Sequence, residues 1–241
     1  MTASRELKAK ALLIVAQFEG SANGRINTYD GQLLSVGSIH YALLSGACYT
    51  FLSRIATLDP AGFALHLGAD FLAAVRAGRG PTINYVQRSV TAPCNASRSV
   101  LNQWQAQFTR LSALRAYSVA DTECAEPYFQ TAERTCRRYG LHSERAYAWA
   151  FDRAVQQGGA VRPQVENLFR KLSADTPEYD VMKQLSRGYA GSANPKWASN
   201  VWNRASAMSL GSSSAAGVRP NGVKFDLEAL GISYNRPWNT A

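Results

Sequence analysis

The chain has 241 residues, with 26 Lys and Arg against 17 Asp and Glu and a formal net charge of +9. An apolar share of 46% with only 18 Gly and 9 Pro excludes a disordered or low-complexity chain. No apolar run reaches the length of a membrane-spanning helix, while the basic excess favours an anionic partner: nucleic acid, a membrane surface, or an acidic polymer such as bacterial cell wall. Apolar residues at helical spacing, from Leu7 through Ala11, Leu12, Ile14 and Val15 to Phe18, predict a first helix over 4–18 that ends at Gly20 and the turn after it. With no small-residue cleavage site behind it, this segment reads as an amphipathic helix and not as an export signal. Next, Asp30-Gly31 lies between two segments that suit extended backbone, a hairpin signal. From residue 41 onward helical periodicity takes over, with helices expected over 41–57, 60–77, 99–117, 121–139, 143–157, 163–172, 177–187 and 194–207. Ser99 and Asp121 are the expected N-caps, and Pro60, Pro163 and Pro177 stand at or near helix starts.

No linker and no internal repeat interrupts the chain. The expectation is one domain over 1–241 of mainly α (α+β) class, a helical body with a small β-hairpin beside an active-site cleft. Four cysteines, Cys48, Cys94, Cys124 and Cys136, show no metal-ligand spacing, and the three histidines are far apart, so no metal and no cofactor is expected. Cys48 reads as a buried thiol and Cys124–Cys136 as the favoured disulfide, which would suit an oxidising compartment. Phosphate-binding glycine loops and the serine-hydrolase elbow are both absent.

The chemistry concentrates between Glu19 and Gly46. Glu19 stands at the C-terminal end of an apolar helix, where the macrodipole and the neighbouring Phe18 disfavour its charged form. A carboxyl kept neutral is what a general acid requires. Asp30 follows in a solvated turn that favours the ionised form, and Ser35 lies on the returning strand. One carboxyl on a helix end and another on a facing hairpin suit glycoside hydrolysis: one protonates the leaving oxygen and the other activates water, which Ser35 can hold. Tyr29 and Tyr41 offer rings for sugar stacking, and His40 is a third candidate at the cleft. Asp152 and Gln156 share one helix face, where Gln156 either hydrogen-bonds sugar on the cleft wall or fixes the core. The five tryptophans are read as packing residues by default, among them Trp197.

The Glu19, Asp30 and Ser35 arrangement on helix, hairpin and helix resembles the active-site segment of phage-type lysozymes, with Ser35 where those have Thr. The stretch Y-D-G-Q-L-L-S-V-G-S-I-H-Y also resembles a group of bacterial lysozyme-like, chitosanase-related cell-wall hydrolases. Two later segments are similar to motifs of that group: F-D-R-A-V-Q-Q-G-G, from Phe151 to Gly159, and G-V-K-F-D-L-E-A-L-G-I near the C-terminus. His40-Tyr41 departs from its Gln-Trp, and residues 79–99 match nothing in it. The resemblance implies a lysozyme-like fold and hydrolysis of peptidoglycan glycan strands with inversion at the anomeric carbon. Glu19 would be the acid, Asp30 the second carboxylate and Ser35 the water-positioning hydroxyl, with Tyr29, His40, Tyr41 and Gln156 as binding residues. It further implies a monomer acting in the bacterial periplasm or envelope. Such an enzyme would arrive through a secretion machine, a holin or a longer chain, and an immunity protein would be its partner. No nucleic-acid or membrane partner is expected.

Two other readings compete. A chitosanase acting on polyglucosamine prefers an acidic cleft, against the charge of this chain. A basic helical module without chemistry would bind its polymer in a strongly salt-dependent way and without need of Glu19. Residues 1–40 are nearly neutral, so the basic excess lies in the helical body, and an arginine-lined approach to the Glu19/Asp30 cleft is expected.

Overall fold

A computed structural model describes residues 2–20, 24–158 and 162–239. The predicted turn over 21–23 and Gly159, the last residue of the Phe151 motif, lie outside the described residues. The fold is mainly helical with one small antiparallel sheet. In chain order it comprises α1 (Arg5–Glu19), β1 (Ser35–Val36), β2 (Tyr41–Ala42), α2 (Ala47–Leu58), α3 (Pro60–Leu67), α4 (Ala69–Ala77) and α5 (Arg79–Val86). A π-helical turn at Gln87–Thr91 leads to α6 (Ala92–Ala96), α7 (Arg98–Ser112), α8 (Arg115–Tyr139) and α9 (Glu144–Gln157). The remainder is α10 (Pro163–Phe169), α11 (Glu178–Gly191), α12 (Pro195–Leu210) and α13 (Ser213–Ala216).

Two compact units divide the chain: Val15–Ala125, and Met1–Ile14 together with Glu126–Ala241. The first holds the sheet. Ser35 pairs with Ala42 and Val36 with Tyr41, so the helix expected over 41–57 begins only at Ala47. Pairing with β1 takes up the backbone of 41–42, and that competition is invisible to helical periodicity. The helix expected over 60–77 breaks at Gly68, whose φ of 97° no helix accommodates. Phe51 forms the centre of the core, with its ring 5.0 Å from that of Tyr41 and 4.9 Å from that of Tyr117. Ser97, not Ser99, caps α7, and Asp121 lies inside α8, which starts at Arg115. Residues 79–99, Cys94 among them, are helical apart from Ser97.

In the second unit α9 is buried on every side from Ala146 to Ala154, a stretch that includes the charged Asp152 and Arg153. Ser143 caps it by accepting from the Ala146 N–H at 3.0 Å. Phe151 stacks on Phe129 at 4.5 Å, and Trp149 Nε1 donates to Ser186 Oγ at 3.0 Å. Trp197, expected to pack, is 55% exposed in the first turn of α12.

All four cysteines are free, which overturns the expected Cys124–Cys136 bridge. Both stand on α8, and at about 1.5 Å of rise per residue their twelve-residue separation puts their backbones roughly 18 Å apart. Cys48 is buried, as its apolar surroundings in the sequence suggest.

Candidate active site

Glu19 is the last residue of α1, and no basic residue occupies that final turn. A cation does reach the helix end from outside. A Cβ on Gly20 would lie 2.8 Å from an Arg25 guanidinium nitrogen, so this side chain rests against Gly20, next to Glu19. It supplies the positive charge that a helix C-terminus favours.

Asp30 occupies a seven-residue loop over 28–34, not a two-residue turn. The loop is closed at its base by an isolated antiparallel bridge in which Asn27 and Ser35 exchange backbone bonds of 2.9 and 2.8 Å. The tight turn of the sheet comes later, over 37–40. Within the loop the Asp30 carboxylate is fully engaged on one side. Its Oδ2 accepts from Ser35 Oγ at 3.2 Å and Asn27 Nδ2 at 3.0 Å, and Oδ1 accepts from the Gln32 N–H at 2.9 Å. Asp30 is nevertheless exposed, whereas Ser35 is 1% exposed, so the serine is a fixed donor beneath a solvent-facing carboxylate. The loop is fastened from below by the stretch that matched no motif. Thr28 and Asn95 exchange bonds of 3.0 and 3.2 Å, and Thr91 Oγ1 donates to Leu33 O at 2.6 Å.

His40 ends the sheet turn in the left-handed conformation, with φ of 52° and its N–H on Gly37 O at 3.0 Å. Burial and the Arg25 charge lower its pKa below the usual histidine value, while the carboxyl groups of Glu19 and Asp30 pull it upward. Burial prevails, and Nε2 is buried without a hydrogen-bond partner. These opposing influences show that Glu19, Arg25, Asp30 and His40 gather in one neighbourhood. Tyr29, next to Asp30, is 74% exposed and free to offer its ring.

The structure corrects Tyr41. It is 3% exposed, its ring packs on Phe51, and its hydroxyl donates to Asp121 O at 2.8 Å, so it is a core residue and not a stacking platform. Gln156 belongs to the second unit, where its Oε1 accepts from Arg153 Nη2 at 2.7 Å. Arg153 and Arg204 flank Asp152 in a cluster buried throughout, with Arg204 Nε 2.6 Å from Asp152 Oδ1. This makes Gln156 part of the solvation of a buried cation, the core-fixing role of the two open for it.

Several residues that hold the site escaped the sequence reading. Asp121, mid-helix and buried, receives the Ser38 N–H at 3.2 Å and also the Ser38 hydroxyl, and so anchors the turn that carries His40. Burial pushes its carboxyl up from the ordinary range, opposed by the bonds from Ser38 and Tyr41. Gln105 on α7 accepts from the Ile26 N–H at 3.0 Å and donates to Gly24 O at 3.2 Å. The one amide thereby brackets Arg25. Gly24 fits only because it lacks a side chain: a Cβ would stand 2.3 Å from Phe108 O, and its φ is 72°. In the sequence Asp121 reads only as an N-cap, and Gln105 gives no signal.

Beside these groups lies a groove of about 450 Å³ lined by Gly20, Arg25, Tyr29, Arg98, Asn102 and Gln105, with further contributions from α7. Glu19 and Asp30 are the chain neighbours of two of its lining residues. No protein-family model, curated protein or solved structure matches the chain.

Proposed function

We propose that this protein is a lysozyme-like glycoside hydrolase that cleaves peptidoglycan glycan strands. The observation that carries the reading is the exposed Asp30 carboxylate, oriented by the buried Ser35 hydroxyl, in the same neighbourhood as Glu19 at the end of α1. In the proposed reaction Glu19 gives its proton to the glycosidic oxygen as the bond to the anomeric carbon breaks. Asp30 takes a proton from the attacking water, so the hydrolysis balances with one proton donated and one accepted. Ser35 positions that water indirectly, by donating to Asp30 and orienting its carboxylate. Tyr29 stacks on a sugar face, and His40, uncharged at neutral pH, borders the cleft. Inversion at the anomeric carbon is the expected course. A cationic polyglucosamine is the poorer substrate, because Arg25 and Arg98 line the groove.

On this reading the enzyme acts in a bacterial envelope, reached through a secretion machine, a holin or a longer chain. An immunity protein that plugs the groove would be its partner in a producing cell. The test is release of reducing ends from purified peptidoglycan, with mass spectrometry of the product ends. Glu19→Gln should abolish release while leaving the unfolding transition in place. Undiminished release by that variant, or none by the native chain, overturns the proposal.

A further inference from the structure

We infer that the groove between Arg25 and Arg98 is a carboxylate-binding subsite that recognises the stem-peptide acids of the glycan strand. The inference takes the identity of its ligand from the glycan-hydrolase reading above. Arg98 is the first residue of α7, a helix with no acidic residue in its first turn. A cation there meets the positive end of the macrodipole, so side chain and helix repel each other unless an anion joins them. Arg98 is exposed, and among the described residues no acid pairs with it or with Arg25. Elsewhere an exposed arginine can be neutralised within the chain, as Arg54 is by Glu123 at 2.6 and 3.0 Å. Arg25 and Arg98 thus line one groove with no acid among the described residues to neutralise them.

Arg25 is also held in place. Gln105 clamps the backbone on both sides of it, Gly24 seats that backbone against Phe108, and its guanidinium lies over Gly20. A clamped arginine loses little freedom on binding, and its planar fork matches a carboxylate with two parallel bonds. Asn102, on the same face of α7, adds an amide suited to peptide carbonyl and N–H groups. The groove volume suits a sugar with a short peptide branch. A neutral chitin strand would leave both guanidinia without partners; a strand bearing peptides with free carboxylates pairs them. The subsite makes the protein selective for peptide-substituted, non-amidated strands.

The probe is an N-acetylmuramoyl peptide with free carboxylates, compared with the same compound amidated; neither has a glycosidic bond to cut. Isothermal titration of the full chain should give roughly tenfold tighter binding of the acid, the scale of one charge-assisted bond. The Arg25→Gln, Arg98→Gln double variant should bring the ratio near one, while Arg110→Gln, on α7 outside the groove, should keep it. Equal binding of acid and amide, no binding of either, or a preference that survives the double variant overturns the inference. Release of reducing ends from sacculi by the native chain is measured in parallel. Selective binding without release sinks the hydrolase reading and spares the subsite, and release without selectivity does the reverse.

Discussion

Ser35 Oγ donates to Asp30 Oδ2 at 3.2 Å, from a residue buried in the base of the loop to one exposed at its rim. The bond fixes one carboxylate oxygen with respect to a rigid element, because the Ser35 backbone is itself paired with Asn27 and Ala42. Two more donors, Asn27 Nδ2 and the Gln32 N–H, keep the carboxylate from rotating.

Removing that hydroxyl should slow the reaction without unfolding the chain. Ser35→Ala is expected to lower kcat about 10- to 100-fold, the value of one hydrogen bond to a charged group. Ser35→Thr keeps the hydroxyl on a strand that tolerates β-branching and should retain most activity. Asp30→Asn should cost about 10²- to 10⁴-fold as a lost general base. Turnover of purified peptidoglycan by the three variants decides the order.

The surroundings of His40 make a titration prediction. Followed by proton NMR, its midpoint should fall below the usual value of 6.5, because burial disfavours the charged ring. Arg25→Gln removes a repelling cation and should raise the midpoint. Asp30→Asn removes an attracting carboxylate and should lower it. A midpoint indifferent to both changes would place these groups apart.

Gly24→Ala should destabilise the protein by about 1–3 kcal/mol, from left-handed backbone and the clash with the Phe108 carbonyl. Chemical denaturation measures the loss. The same variant should weaken Gln105's hold on the segment that carries Arg25.

The buried cluster of Asp152, Arg153 and Arg204 predicts both a mutational and a pH effect. Asp152→Asn leaves two cations buried without a counter-charge and should cost about 3–5 kcal/mol. Burial alone would raise the Asp152 pKa, but Arg204 and Arg153 outweigh it, and the folded value lies below the ordinary 3.8. A depressed folded pKa gives stability that is full above the unfolded value and is lost as pH falls through the folded one. Stability should therefore decline below about pH 4, and more shallowly in the Asn variant. Urea midpoints across pH 2–6 would show it.

The thiols should be reduced and slow to react. Burial lifts Cys124 to about 11, with Asp121 and Glu123 adding to the effect, and burial pushes Cys48 and Cys136 up as well. Iodoacetamide at pH 7.5 should leave the native chain largely unmodified and add four labels after unfolding. Two labels in the unfolded, unreduced protein would restore a disulfide.

Much of the helical body was legible because its cause is local. Leu7 to Phe18 recur at helical spacing and form α1, α9 and α12 begin within one residue of the starts expected at 143 and 194, and Pro163 starts α10. Where a distant partner competes, periodicity misleads. Tyr41 and Ala42 continue a helical pattern yet pair with β1, and Asp121 looks like a cap but anchors Ser38 from a helix interior. The disulfide failed for a related reason: an even number of cysteines says nothing of where one continuous helix carries them.

By itself the sequence determined which residues have chemistry to offer: two carboxyl groups and a serine near one helix end, and a surplus of arginine elsewhere. These follow from residue type, charge and short-range spacing. Only the tertiary structure decided which of them meet. It buried Tyr41, turned Gln156 toward Arg153, joined Ser35 to Asp30, and left Arg25 and Arg98 facing one groove. Hydrogen bonds and burial between residues as far apart as Ile26 and Gln105 made those choices, and no local pattern encodes them.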